Sequence, residues 1–128
     1  MNKIRLVSIL TFALLVVLIS SCKKSTHDPS GGTGNTDLQV YVLDSSQQVV
    51  QGALVTLYLS ASDRDAATNV AYTQVTGTSG FIYFSKISAT TYYVSVIKHS
   101  GNTTKTGTAD TGIPIKYQEQ TALTVVLQ

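Results

Sequence analysis

From Asp37 onward, apolar side chains recur at every second position in short runs, and this two-residue period confines the chain to strands. Leu38, Val40 and Val42 alternate within Asp37–Asp44, which ends at the polar turn Ser45–Gln48. Gly52–Leu59 repeats the pattern, with Val55, Leu57 and Leu59 on one side and Leu54, Thr56 and Tyr58 on the other. Ser60–Thr68 is hydrophilic and reads as a loop. A third strand is expected over Asn69–Thr76, a tight turn over Gly77–Gly80, a fourth strand over Phe81–Lys86 and a fifth over Thr91–His99. Thr121–Leu127 closes the series, and the weakly patterned Ser100–Gln120 has room for one edge strand. Outside residues 6–19 no window carries a 3.6-residue apolar stripe, so helix is expected to be nearly absent. Composition agrees: 43% hydrophobic but only 12% charged, with 7 Tyr, is a sheet palette. The expected fold is all-β, a single Ig-like β-sandwich of six or seven strands spanning residues 37–128.

The first 21 residues read differently. Lys3 and Arg5 precede a nearly unbroken apolar run, Leu6–Ile19, which suits the h-region of a signal peptide and is short for a transmembrane span. Ile19-Ser20-Ser21-Cys22 follows at once and resembles the bacterial lipobox. That resemblance implies cleavage before Cys22 and a diacylglyceryl thioether on its sulfur, with palmitate-type acylation of the new amino group. Each buried methylene contributes about 0.8 kcal/mol, so several chains anchor far more firmly than one. An ordinary secretory signal with a free cysteine and a retained membrane helix are the competing readings. Cys22 is the single cysteine and has no partner for an intramolecular disulfide. Residues 22–36 carry Lys23, Lys24, Pro29, Gly31, Gly32 and Gly34 and read as a lipidated N-terminus with a flexible tether.

The formal charge of +2 disappears once Lys3 and Arg5 are removed with the leader, which takes away the electrostatic motive for binding nucleic acid. The lipobox resemblance implies that the expected location is the cell envelope, lipid-anchored to a bacterial membrane, with the outer membrane preferred. Cys22-Lys23-Lys24-Ser25 lacks acidic residues like those of surface-export tags, which leans toward a periplasmic orientation.

Within 37–128, the stretches Val40–Asp44, Val50–Leu57 and Thr76–Phe84, with Ile87 and Tyr92–Val96, resemble the carboxypeptidase regulatory-like domain, a transthyretin-like (prealbumin-like) sandwich. Its Thr-x-x-x-Gly turn corresponds to Thr76–Gly80, and Ile82, Phe84, Ile87 and the buried tyrosine Tyr92 take the positions that follow. Thr90 stands where that family usually has glycine. The resemblance speaks to fold more than to function. Some transthyretin-like relatives are hydroxyisourate hydrolases with active-site histidines, an arginine and a Tyr-Arg-Gly-Ser-like tail; Ala122–Gln128 does not match that tail. Adhesin stalk domains of similar fold carry Lys–Asn or Lys–Asp isopeptide crosslinks, and neither partner type occurs in Leu38–Leu43 or Thr121–Leu127.

Chemistry-bearing clusters are sparse. A two-histidine site would require His27 in the tether to meet His99, and catalysis at His99 would require Arg64 or a carboxylate within reach, in a pocket. Asp63-Arg64-Asp65 places two carboxylates in one loop without enough neighbouring oxygen ligands for Ca²⁺, so an internal ion pair is the better reading. No catalytic residue, metal site or cofactor is expected. Alternation turns Tyr41, Tyr58, Phe81, Tyr83 and Tyr93 away from the core, where they can stack on sugars or anchor a protein partner. Cross-strand packing on the wet face also accounts for them, needs no ligand and is the commoner case. The expected role is a noncatalytic, membrane-anchored envelope domain with a structural or protein-interaction function; the alternative is a carbohydrate-binding lipoprotein. Tyrosines gathered on one face would favour the second, scattered ones the first.

Overall fold

The six patterned runs and one further segment, Thr103–Asp110, become strands in the computed structural model, which describes residues 36–128. The leader, Cys22, His27 and the tether through residue 35 lie outside the described residues. In chain order the elements are β1 (Asp37–Leu43), β2 (Leu54–Tyr58), α1 (Ala61–Ala66), β3 (Tyr72–Val75), β4 (Phe81–Phe84), β5 (Tyr93–Ser100), β6 (Thr103–Asp110) and β7 (Gln120–Val126). They form a three-stranded sheet in the order β4-β1-β7 and a four-stranded sheet in the order β3-β2-β5-β6. Strand β1 is antiparallel to β4 but parallel to β7, so the first and last strands run side by side. The fold is an all-β sandwich, as the period demands.

The inward residues of the two sheets meet in one core. Leu38, Val40 and Val42 of β1 face Val55 and Leu57 of β2 and Val94 and Val96 of β5, all with no exposed surface. Each such side chain contributes about 1.5–3 kcal/mol relative to exposure. Tyr92 is buried beside them, with its hydroxyl donating to the Ser88 carbonyl at 3.1 Å. Burial, and then the neighbouring Tyr72, pushes the Tyr92 phenol up to about 12. Thr90 does not adopt a positive φ, so the turn before Tyr92 has no need of glycine.

Two side-chain features fix how the layers meet. The buried Thr76 hydroxyl donates to Val50 O at 2.6 Å and accepts from Ala53 N–H at 2.9 Å, tying the entrance of β2 to the exit of β3. At the β6 edge, Thr106 and Gln128 exchange backbone hydrogen bonds of 3.3 and 3.0 Å, joining the two sheets along one side. Gly107 permits that approach, since a Cβ there would lie 2.7 Å from Val126 O.

Three expectations need correction. Ser60–Thr68 is no simple loop: Ala61–Ala66 is a one-and-a-half-turn helix, because the Ser60 side chain caps it by accepting from Asp63 N–H at 3.1 Å. Leu59 does not join Val55 and Leu57 in the core but is 58% exposed, because β2 ends at Tyr58 and the chain turns into the helix cap. Tyr58 does not face solvent; only 5% of it is accessible. It occupies the outer face of β2 as alternation requires, but α1 packs over that face. Strand ends elsewhere shift by one to three residues, and the edge strand sought in Ser100–Gln120 is β6.

Candidate functional site

The five outward aromatics separate onto opposite faces of the sandwich. Tyr58 and Tyr93 are directly paired across β2 and β5 on the outer face of the four-stranded sheet. Arg64 of α1 holds its guanidinium 5.9 Å from the Tyr93 ring centre, a cation–π contact, while pairing with Asp65 at 2.9 Å. The Asp63-Arg64-Asp65 segment thus forms an internal ion pair within a helix that roofs two tyrosines. Asp63 itself accepts from the Ser60 hydroxyl at 2.6 Å and from Asn69 Nδ2 at 2.7 Å. These bonds, the Ser60 one foremost, hold its carboxyl below the ordinary aspartate range.

Tyr41, Phe81 and Tyr83 occupy the other outside, that of the three-stranded sheet. Tyr41 lies opposite Phe81 in the β1–β4 register, their ring centres 5.5 Å apart and tilted by 49°. Phe81 meets Tyr83 edge-on at 5.5 Å and 83°. Tyr83 is 43% exposed, and Tyr41 and Phe81 are half-buried. The same face continues through Leu43 and Val126, which are register partners, and Thr124 opposite Tyr41. Beneath Tyr83, Gln39 is nearly buried and accepts from Gln120 Nε2 at 2.7 Å. No helix lies among the described residues to cover this face, whereas its counterpart carries α1. Leu43 and Val126 belong to the site but escaped the reading for aromatics; their signal was the same alternation that turned Tyr41 outward.

His99 and Arg64 do not meet. His99 Nδ1 shares a hydrogen bond of 2.9 Å with Thr104 Oγ1 at the far end of β5, while Arg64 sits over Tyr93 at its start. Among the described residues no three His, Cys, Asp or Glu side chains gather to hold a metal.

No family model and no curated protein matches this sequence. Among the solved structures that this chain resembles, two illustrate the shared fold. The Bacillus anthracis TIE protein superposes with a TM-score of 0.53 at 17% identity over 73% of this chain. A Streptococcal ancillary pilin superposes with a TM-score of 0.56 at 16% identity over 77%. This chain spans only 16% and 33% of those two proteins, and at such identities the likeness is one of fold alone. A third, the dioxygenase domain of a dioxygenase–carbohydrate-binding protein fusion from Streptomyces sp. SirexAA-E, reaches a TM-score of only 0.44 at 14% identity, covering 78% of this chain and 83% of that one. At that score it does not establish a common fold.

Proposed function

We propose that this chain is a noncatalytic envelope lipoprotein, anchored through Cys22 to a bacterial membrane, whose carboxypeptidase regulatory-like sandwich contacts a protein partner through the outer face of the β4-β1-β7 sheet. The observation that carries this reading is the asymmetry of the two outer faces. One pair of tyrosines is roofed by α1, whereas among the described residues no element covers the other aromatics, of which Tyr83 is exposed and Tyr41 and Phe81 half-buried beside Leu43 and Val126. Aromatic anchors flanked by aliphatic side chains are the usual centre of a protein-binding patch. Anchoring rests on the lipobox-like Ile19–Cys22, and the absence of acidic residues in Lys23–Ser25 leans the orientation toward the periplasm.

Glycan binding is the second reading, favoured by the exposure of Tyr83. The tilts of 49° and 83° weigh against it, because a sugar stacks best on a flat ring surface that these rings do not share. Calorimetry of the chain against envelope polysaccharides and their oligosaccharides separates the two. Saturable heat abolished by Tyr83→Ala and retained by Tyr93→Ala would replace the protein-partner reading with a sugar-binding one. The expected result is no heat with any glycan, together with crosslinking to an envelope protein from a photoreactive group at Tyr83 and not at Tyr93. Metabolic labelling with a palmitate analogue checks the anchor: label should appear on the wild-type chain and vanish in Cys22→Ser.

A further inference from the structure

A second site follows from the same alternation, at a place the aromatic face does not reach. On β5, Val94 and Val96 point into the core, so Lys98 and Ser100 point to the same side. On β6 the inward set that includes Gly107 and Ala109 continues back to Lys105 and Thr103. The register sets Lys98 directly opposite Lys105 and Ser100 opposite Thr103. Two ammoniums and two hydroxyls therefore form a two-by-two array on the inner face of the sheet, just where the core ends. All four line a cleft of about 420 Å³ whose apolar wall is Val50 and Leu127. It opens at the pole where β1 and β7 finish, opposite the pole where β1 begins at Asp37.

Like charges directly opposed on neighbouring strands repel, and natural sheets ordinarily set opposite charges there. Lys98 is half-buried, and Lys105, Ser100 and Thr103 are exposed at the rim, so water screens part of the lysine–lysine repulsion and leaves the pair mildly unfavourable. The ion pairs among the described residues are Arg64–Asp65 and Lys116–Glu119, and neither Lys98 nor Lys105 takes part in one. Lys98 Nζ has only a long bond of 3.4 Å to Gly52 O. Gly52 adopts φ +70, a conformation that favours glycine, and its Cα lies close to the end of the flexible Lys98 side chain. Asp44 also lines the cleft, but its Oδ1 is engaged by the Ser46 and Gln48 N–H groups at 2.8 and 3.0 Å. With two lysines and one aspartate, the cleft carries a net positive charge beside a low-dielectric wall, which concentrates the field on an entering anion.

We infer that this cleft binds a small ligand through a carboxylate or phosphate group, which bridges Lys98 and Lys105 and accepts from Ser100 and Thr103. The cleft shares no lining residue with the aromatic face, although Asp44 and Leu127 follow Leu43 and Val126 of that face directly in the chain.

The test titrates the full chain, ¹⁵N-labelled and in neutral detergent, with inorganic phosphate and separately with glucuronate. Glucose and sodium chloride at matched ionic strength are the controls. Saturable shifts of the Gly52, Lys98, Ser100 and Thr103 amides are expected with at least one of the two anions and with neither control. The Lys98→Gln/Lys105→Gln double variant should weaken that binding by about tenfold or more, with amide shifts elsewhere confirming that it folds. Asp44→Asn, which keeps the Oδ1 acceptor and removes the opposing charge, should tighten it severalfold. Saturation by phosphate alone would identify a phosphorylated ligand, and by glucuronate alone a carboxylated sugar. Shifts that only grow linearly, that chloride reproduces, or that survive in the double variant would overturn the site.

Discussion

Thr76 shows how much one hydroxyl holds. It is buried and serves as both donor and acceptor for backbone groups of the β1–β2 connection. Thr76→Val keeps the shape but leaves Val50 O and Ala53 N–H without that partner. The orphaned groups together should cost about 2–4 kcal/mol, seen as a lowered urea midpoint at unchanged slope. Tyr92 gives a pH prediction with a definite sign. Its phenol is raised from 10.0 to about 12 in the folded chain, so the unfolded chain releases the proton first. The stability it contributes is complete below pH 10 and is lost as the pH rises through about 12. Denaturant midpoints measured across that window should fall in the wild-type chain and fall less in Tyr92→Phe. The burial of Tyr92 was expected from the resemblance of the residues after Thr76–Gly80, whereas the role of the Thr76 hydroxyl was not legible, because its partners Val50 and Ala53 lie more than twenty residues away in sequence.

Among the elements, α1 left no trace in the periodicity. Six residues are too few to display an apolar stripe, and the helix buries none of its own side chains. Its signal was local instead: Ser60 three residues before Asp63 is a capping arrangement. Ser60→Ala should cost about 1 kcal/mol and loosen the roof over Tyr58 and Tyr93, read as increased tyrosine solvent accessibility alongside a lower melting temperature. The same substitution removes the main bond holding the Asp63 carboxyl low, so that group should titrate nearer 3.8 in the variant. Since a depressed carboxyl stabilises above its unfolded value, the wild-type advantage over Ser60→Ala should shrink as the pH falls below 3.8. The β5–β6 hairpin, by contrast, had a readable turn. Gly101-Asn102 joins Ser100 to Thr103, with Gly101 at φ +57 as a two-residue hairpin requires. Its strand was obscured because β6 is an edge whose outer positions are polar Thr104, Thr106 and Thr108, leaving little hydrophobic contrast to follow.

For the whole molecule, the decisive contact is the seam between the sheets at β6 and β7. Gly107 allows it by bringing its bare Cα against Val126 O and the Val125 side chain. Gly107→Ala should cost about 1–3 kcal/mol through displaced backbone, and Gly107→Val more; thermal unfolding of the two variants against wild type measures the order. Strand period, inward faces and most turns were determined by the sequence alone, because burial on one side of a strand is a demand that each short segment states for itself. The pairing of β1 with β7, the separation of Tyr58 and Tyr93 from Tyr41, Phe81 and Tyr83, and the meeting of Lys98 with Lys105 were decided by the tertiary structure. Each depends on register or coverage between separate segments, and alternation within a strand leaves open which neighbour it pairs with and which outer face another element covers.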